Sequence, residues 1–205
     1  MHSTIVPLIE ARVSAANFLP HGVVTDDDIA ELVRLATLAP SAFNFQNWSF
    51  IAVRSPEAKL RLKAVAFGQQ KVVDAAVTFI VCGTLQAHLQ LPWALKSSVE
   101  AGILPPALAD GWIAMAGSAH GDNPQLQRDE AIRSASLAAM TLILAAEGMG
   151  LASCAMSGFD AAGVTREFAL SPDDVPVMLV AVGKAAEGNW PQKRRKPVAQ
   201  VLAFA

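Results

Sequence analysis

Residues 75–85 read AAVTFIVCGTL, an almost continuously apolar stretch rich in β-branched side chains. A strand with one wet face alternates apolar and polar residues, whereas an uninterrupted apolar strand has to be covered on both faces. This segment therefore predicts a central strand inside a layered fold. The flanking sequence supplies the layers. Thr25 followed by Asp26, Asp27 and Asp28 is a helix start, with a capping hydroxyl and acidic residues in the first turn. Ile29, Leu32, Val33 and Ala36 follow at helical spacing, and Pro40 closes the helix. WSFIAVRS (48–55) alternates like a half-buried strand, and Pro56 opens a second helix, basic on its outer face, that ends near Gly68.

A long helix is predicted over about 126–147, lined with small residues (Ala131, Ser134, Ala135, Ala138, Ala139) that permit close approach. LASCAMSGF (151–159) and VPVMLVAVGKA (175–185) read as two more strands with a short helix between them. The C-terminal NWPQKRRKPVAQVLAFA reads as a loop and an extended apolar tail. Residues 86–125 carry Pro92, Pro105, Pro106 and Pro124 with Gly102, Gly111, Gly117 and Gly121. They predict a mobile, partly helical insertion broken into short pieces around Trp93 and Trp112. No linker or repeat divides the chain, so one α+β domain over 1–205 is expected.

The chain is 53% hydrophobic and 17% charged, below the roughly 25% charged residues of typical soluble proteins. No uninterrupted apolar run approaches the ~20 residues of a spanning helix, so no membrane association is expected. The richest run, SLAAMTLILAA (136–146), reads as a helix buried in protein or at a subunit interface, and the apolar excess favours an oligomer. A net charge of −2 gives no reason to expect nucleic acid. The N-terminus lacks the pattern of a signal peptide. Cys82 and Cys154 sit singly in apolar segments and read as reduced core residues, which suits the cytoplasm.

GMGLAS (148–153) nearly matches a dinucleotide-binding loop, but a helix precedes it and a strand follows, the reverse of what that loop requires. A helix C-cap and tight turn is the better reading. His2, His21, His88 and His120 show no metal-ligand spacing and are expected to be solvated or locally bonded. No metal site and no serine nucleophile elbow is expected. Three segments do suggest one site. Arg12 and Ser14 are two apart, Lys71 precedes the apolar strand, and Lys193 and Arg195 are again two apart. Each alone reads as a solvated charge; together they supply charge-assisted donors for a phosphate dianion. APSAFNFQNWSF (39–50), with its interleaved amides and aromatics, adds a polar, aromatic-lined slot for a planar ring.

With those segments in hand, the sequence resembles the nitroreductase family of FMN-dependent enzymes that use NADH or NADPH. The resemblance rests on RVSAANF (12–18), APSAFNFQNWSF (39–50), GQQKVVDA (68–75), GMGLASCAMSGFD (148–160) and KRRKP (193–197), in family order. It implies a three-layer α+β sandwich with a mostly antiparallel sheet, forming an intertwined homodimer whose C-terminal tail extends onto the partner. It further implies FMN phosphate bound by Arg12, Ser14, Lys193 and Arg195, with Val13 between them also part of the cofactor site. Pro40, Ser41 and Asn44 would lie along the flavin held mainly by the other subunit. Gln69 and Lys71 would sit at the pyrimidine side, and Met156, Ser157 and Gly158 along the edge carrying the hydride-accepting nitrogen. Three departures stand out: Ala16 where the family often has Arg or Lys, Gly68 where Asn is common, and Asn47 in place of proline.

The implied reaction is ping-pong: NAD(P)H reduces the flavin, and a nitroaromatic, quinone or similar small-molecule acceptor then reoxidises it. Lys71 would act electrostatically on the reduced flavin. Residues 86–125 would cover the site. Alternatives are a flavin-binding protein with little turnover, a reductive dehalogenase or enoate-type reductase of the same fold, and a domain that has lost its cofactor.

Overall fold

The computed structural model describes residues 5–20 and 22–205, so His2 and His21 lie outside the described residues. The predicted central strand is β2 (Val77–Thr84), taking β1 as Trp48–Val53, β3 as Ala152–Met156 and β4 as Asp174–Gly183. The sheet has the order β1-β2-β4-β3 and is antiparallel at every pairing. Along β2 the side chains alternate between two cores. Val77, Phe79 and Val81 pack with Leu32 of α2 (Asp26–Ala36) and with Ala135 and Leu142 of α7 (Pro124–Gly148). Ile80 and Cys82 face the opposite layer, with Leu62 of α3 (Pro56–Val65) and Val164 of α8 (Ala161–Glu167). Both faces are dry, which is why the strand is apolar throughout. Each fully buried Val, Ile or Phe contributes roughly 1.5–3 kcal/mol. The chain is thus the expected three-layer α+β sandwich.

Local chemistry sets the helix ends. At α2 the Thr25 hydroxyl accepts from the Asp28 N–H (3.1 Å), and the Asp28 carboxylate accepts from the Thr25 N–H (2.9 Å). This reciprocal cap holds the Asp28 carboxyl below its ordinary range, chiefly through the Thr25 backbone bond. The GMGLAS turn closes α7: Leu151 N–H donates to Ala146 O (2.8 Å), Gly150 N–H donates to Glu147 O (3.0 Å), and Gly150 has φ +68°. That is a Schellman cap, not a nucleotide loop. α7 is long and apolar enough to cross a membrane, yet its face of Ala131, Ser134, Ala135, Ala138, Ala139 and Leu142 is buried inside the fold. It approaches the sheet closely because β2 offers Gly83: a Cβ there would lie 2.5 Å from the Ala131 carbonyl carbon.

Residues 86–125 differ from expectation. In place of short broken pieces they form two regular helices, α5 (Ala87–Glu100) and α6 (Pro106–His120). Pro105 and Pro106 occupy the N-cap and first turn of α6, and Pro124 opens α7 after the Asn123 cap. The missing N–H costs nothing at such positions. Within 86–125 only Pro92 lies in a helix interior. α5 and α6 enclose a third core with Phe45, and His120 packs edge-on to Phe43 and Phe45. His88 and His120 are buried, not solvated; His120 Nδ1 donates to Ala116 O (3.1 Å), while His88 Nδ1 has no partner. Both cysteines are free and buried, and burial pushes the Cys82 thiol up to about 12.

Candidate active site

β3 is the spine on which most of the predicted residues converge. At its start, Ser14 pairs with Ser153 in an isolated parallel bridge, and Ala15 N–H donates to Ser153 O (2.9 Å). Arg12 and Val13 follow the C-terminus of α1 (Ile5–Ala11) and are half-buried, while Ser14 is exposed. The chain beyond β4 returns to the same place. Asn189 Oδ1 accepts from the N–H groups of Ala16 (2.7 Å) and Asn17 (2.9 Å), and its Nδ2 donates to Asn17 O and Ala186 O. The two segments enclose a cleft of about 80 Å³ lined by Arg12, Val13, Ser14, Trp190, Gln192, Lys193 and Arg195. That volume suits a compact anionic group; whole ligands take roughly 300–1,000 Å³. Among the described residues, Arg12, Lys193 and Arg195 form no salt bridge, so their charge is not neutralised internally.

At the other end of β3, Gln69 Nε2 donates to Gly158 O (2.8 Å). Lys71, the first residue of α4 (Lys71–Asp74), reaches β3 with Nζ 3.6 Å from Cys154 Sγ. From Ser153 to Gly158 the extended chain spans at most about 16 Å. An anion cradle at one end of β3, a cation reaching its middle and exposed backbone beyond its other end fit an elongated ligand that carries a phosphate and a planar ring. Ser157 and Gly158 are exposed, but the Met156 side chain is turned into the core, leaving only its backbone for contact. Ala155, not singled out in the sequence, presents the exposed side chain of this strand.

Pro40, Ser41 and Asn44 are not brought to this cluster. They lie on the connection between α2 and β1, held against α5 and α6 by Phe43, which meets Trp112 edge-on, and by Gln46, which donates to Ala94 O (3.5 Å). The loop is strained: Phe43, Asn44 and Gln46 have φ of 52°, 59° and 51°, the left-handed region that non-glycine residues adopt at a cost. Ser41 Oγ accepts from Gln46 N–H (2.9 Å) across the turn. Asn47, in place of proline, is buried and donates to Thr84 O (3.3 Å).

Asn189 and Gln192 were missed by sequence reasoning. Both are neutral amides beside a basic run, and charge spacing gives them no signal.

The chain is similar to known proteins over nearly its whole length. The family model described as the nitroreductase family matches residues 9–184. The Bacillus subtilis protein named "Putative NAD(P)H nitroreductase MhqN" is 36% identical over 199 residues, covering 96% of this chain and 97% of that protein. A crystal structure of an Exiguobacterium sibiricum protein in complex with FMN superimposes with a TM-score of 0.91 at 25% identity, covering 100% of this chain and 99% of that one. The Lactiplantibacillus plantarum protein named "CLA biosynthesis enone reductase" is 29% identical, covering 86% of this chain and 83% of that protein.

Proposed function

This chain belongs to the nitroreductase family, and on that premise we propose that it reduces nitroaromatic, quinone or similarly electron-poor acceptors in a ping-pong cycle. It is an NAD(P)H-dependent oxidoreductase that uses FMN. When bound, FMN supplies the chemistry of accepting hydride from the nicotinamide and passing electrons to the acceptor. The observation that carries the site assignment is the cleft between Arg12–Ser14 and Lys193–Arg195. Three cations that form no salt bridge among the described residues, with a serine hydroxyl, surround a small cavity and fit a phosphomonoester, because guanidinium and ammonium donors make charge-assisted bonds to its oxygens. Lys71 reaches β3 beside Cys154, where its ammonium would stabilise negative charge on the ligand's pyrimidine side. Gln69 fixes the Gly158 carbonyl, so the Gly158–Phe159 peptide, just past the end of β3, is oriented before a ligand arrives. No side chain of this set is assigned a proton-transfer role.

The working unit in this reading is a cytoplasmic homodimer. Its support is an open apolar cleft of about 460 Å³ lined by Leu8, Leu35, Leu38, Leu144 and Met149, together with the exposed apolar tail residues Val201, Leu202 and Phe204. The strained loop of Pro40, Ser41 and Asn44 then faces the flavin of the partner, which explains its separation from the phosphate cleft within one chain. Steady-state kinetics with a quinone, a nitroaromatic and an enone, each varied against NADPH and NADH, test the assignment. Parallel double-reciprocal lines with the first two acceptors are expected; intersecting lines, or no turnover with either, refute it. Enone reduction is the second reading, favoured by the resemblance to the Lactiplantibacillus enzyme, and the same assay identifies it by a preference for the enone.

A further inference from the structure

We propose that Gln192 is the positioning residue of the phosphate cradle, clamping its two halves together without neutralising their charge. The inference rests on the phosphate reading of the cleft. Gln192 Nε2 donates to Arg12 O (2.9 Å), and Gln192 Oε1 accepts from Arg195 Nη2 (2.9 Å). The orientation of the amide is dictated by chemistry, since a carbonyl only accepts and a guanidinium only donates. One side chain therefore ties together segments separated by 180 positions in sequence. Arg195 Nη1 also donates to Lys193 O (2.7 Å), so the guanidinium plane is held at two points inside its own loop. Two of its five N–H groups are used in this way, leaving three for a ligand.

A neutral amide is the suitable residue here. Arg12, Lys193 and Arg195 repel one another across the cleft they line, and an aspartate or glutamate cross-link would relieve that repulsion. It would also cancel the charge that attracts the dianion. An amide satisfies both sides and leaves the charge in place. Asn189 does the same three residues earlier, on the backbone of Ala16 and Asn17. Gln192 differs in that it touches a cation of the cradle directly.

The test compares two ligands, FMN and riboflavin, which differ only by the phosphate. Their dissociation constants are measured by flavin fluorescence quenching with the full-length protein freed of bound flavin. Gln192→Ala is expected to weaken FMN roughly tenfold, the loss of one charge-assisted bond, while riboflavin changes by less than about twofold. Gln192→Glu retains an acceptor for Arg195 but cannot donate to Arg12 O and adds a negative charge. Its FMN affinity should fall further than that of the alanine variant, again with riboflavin unchanged. Gln192 is exposed, so neither variant threatens the core. An unchanged FMN-to-riboflavin ratio in both variants, or an equal loss for both ligands, overturns the positioning role. A wild-type protein that binds the two flavins equally overturns the phosphate reading itself, a separate result.

Discussion

Replacing Gly83 by alanine is a sharp test of how α7 sits on the sheet. The added Cβ would lie 2.5 Å from the carbonyl carbon of Ala131 and 2.9 Å from its Cα, all rigid helix backbone. Ordinary carbon contacts are about 3.5–4.0 Å, so the helix has to move by roughly 1 Å. It cannot move alone, because its buried alanines and Leu142 pack on Phe79, Val81, Val180 and Val182 over the same face. Overpacking of this kind costs about 3 kcal/mol, at the upper end of the usual range. For a chain of this length that lowers Tm by roughly 6–12 °C. Gly117 is the control: it lies within α6, and a Cβ there meets nothing within 4 Å. Gly117→Ala should stabilise by about 0.5–1 kcal/mol, since glycine in a helix interior is the poorer residue. Thermal unfolding of the flavin-saturated proteins reads both. A Gly83→Ala protein as stable as the parent refutes the close approach of α7 to β2.

Three further outcomes follow from the same structure. Lys71→Met should lower the flavin midpoint potential by roughly 30–60 mV, equivalent to about 1.4–2.8 kcal/mol of lost charge stabilisation for a two-electron couple; spectroelectrochemistry measures it, and an unchanged potential removes Lys71 from the site. Burial, reinforced by Asp174, raises the Cys82 thiol from 9.0 to about 12. The folded chain therefore favours the protonated thiol, and the associated stability is complete below pH 9 and lost as pH rises from 9 towards 12. Urea unfolding of Cys82→Ala across that window should show a flatter alkaline decline than the parent, and identical slopes would contradict the assignment. Ser41→Ala removes the acceptor for Gln46 N–H, which should cost about 1 kcal/mol of stability in chemical denaturation; no change would mean that the hydroxyl does not brace the strained loop.

The fold was legible where a single physical demand dominates a segment. The apolar run of β2 has one solution, a strand covered on both faces, and the Thr25–Asp28 spacing has one favoured use, a helix cap. The GMGLAS cap is legible in the order of its neighbours rather than in its glycines. Residues 86–125 misled because proline has two opposite meanings. It breaks a helix from within and starts one from the first turn, and only the surrounding chain decides which. Pro105, Pro106 and Pro124 are starts. The cations of the phosphate cleft could be picked out by type and spacing. Gln192 and Asn189 could not, because their role lies in contacts with residues near the other end of the chain. Nor does any sequence pattern reveal the left-handed backbone at Phe43, Asn44 and Gln46, which the packing of α5 and α6 maintains without a glycine.

The central claim is that this chain holds FMN and passes electrons from NAD(P)H through it. The visible absorption spectrum of the purified protein, recorded before and after anaerobic addition of NADPH or NADH, tests it most directly. A flavin spectrum that bleaches on addition of the nicotinamide, and returns when a quinone is supplied, is the predicted result. A protein that shows no flavin and binds none when FMN is added, or whose flavin stays oxidised with both donors, contradicts the account.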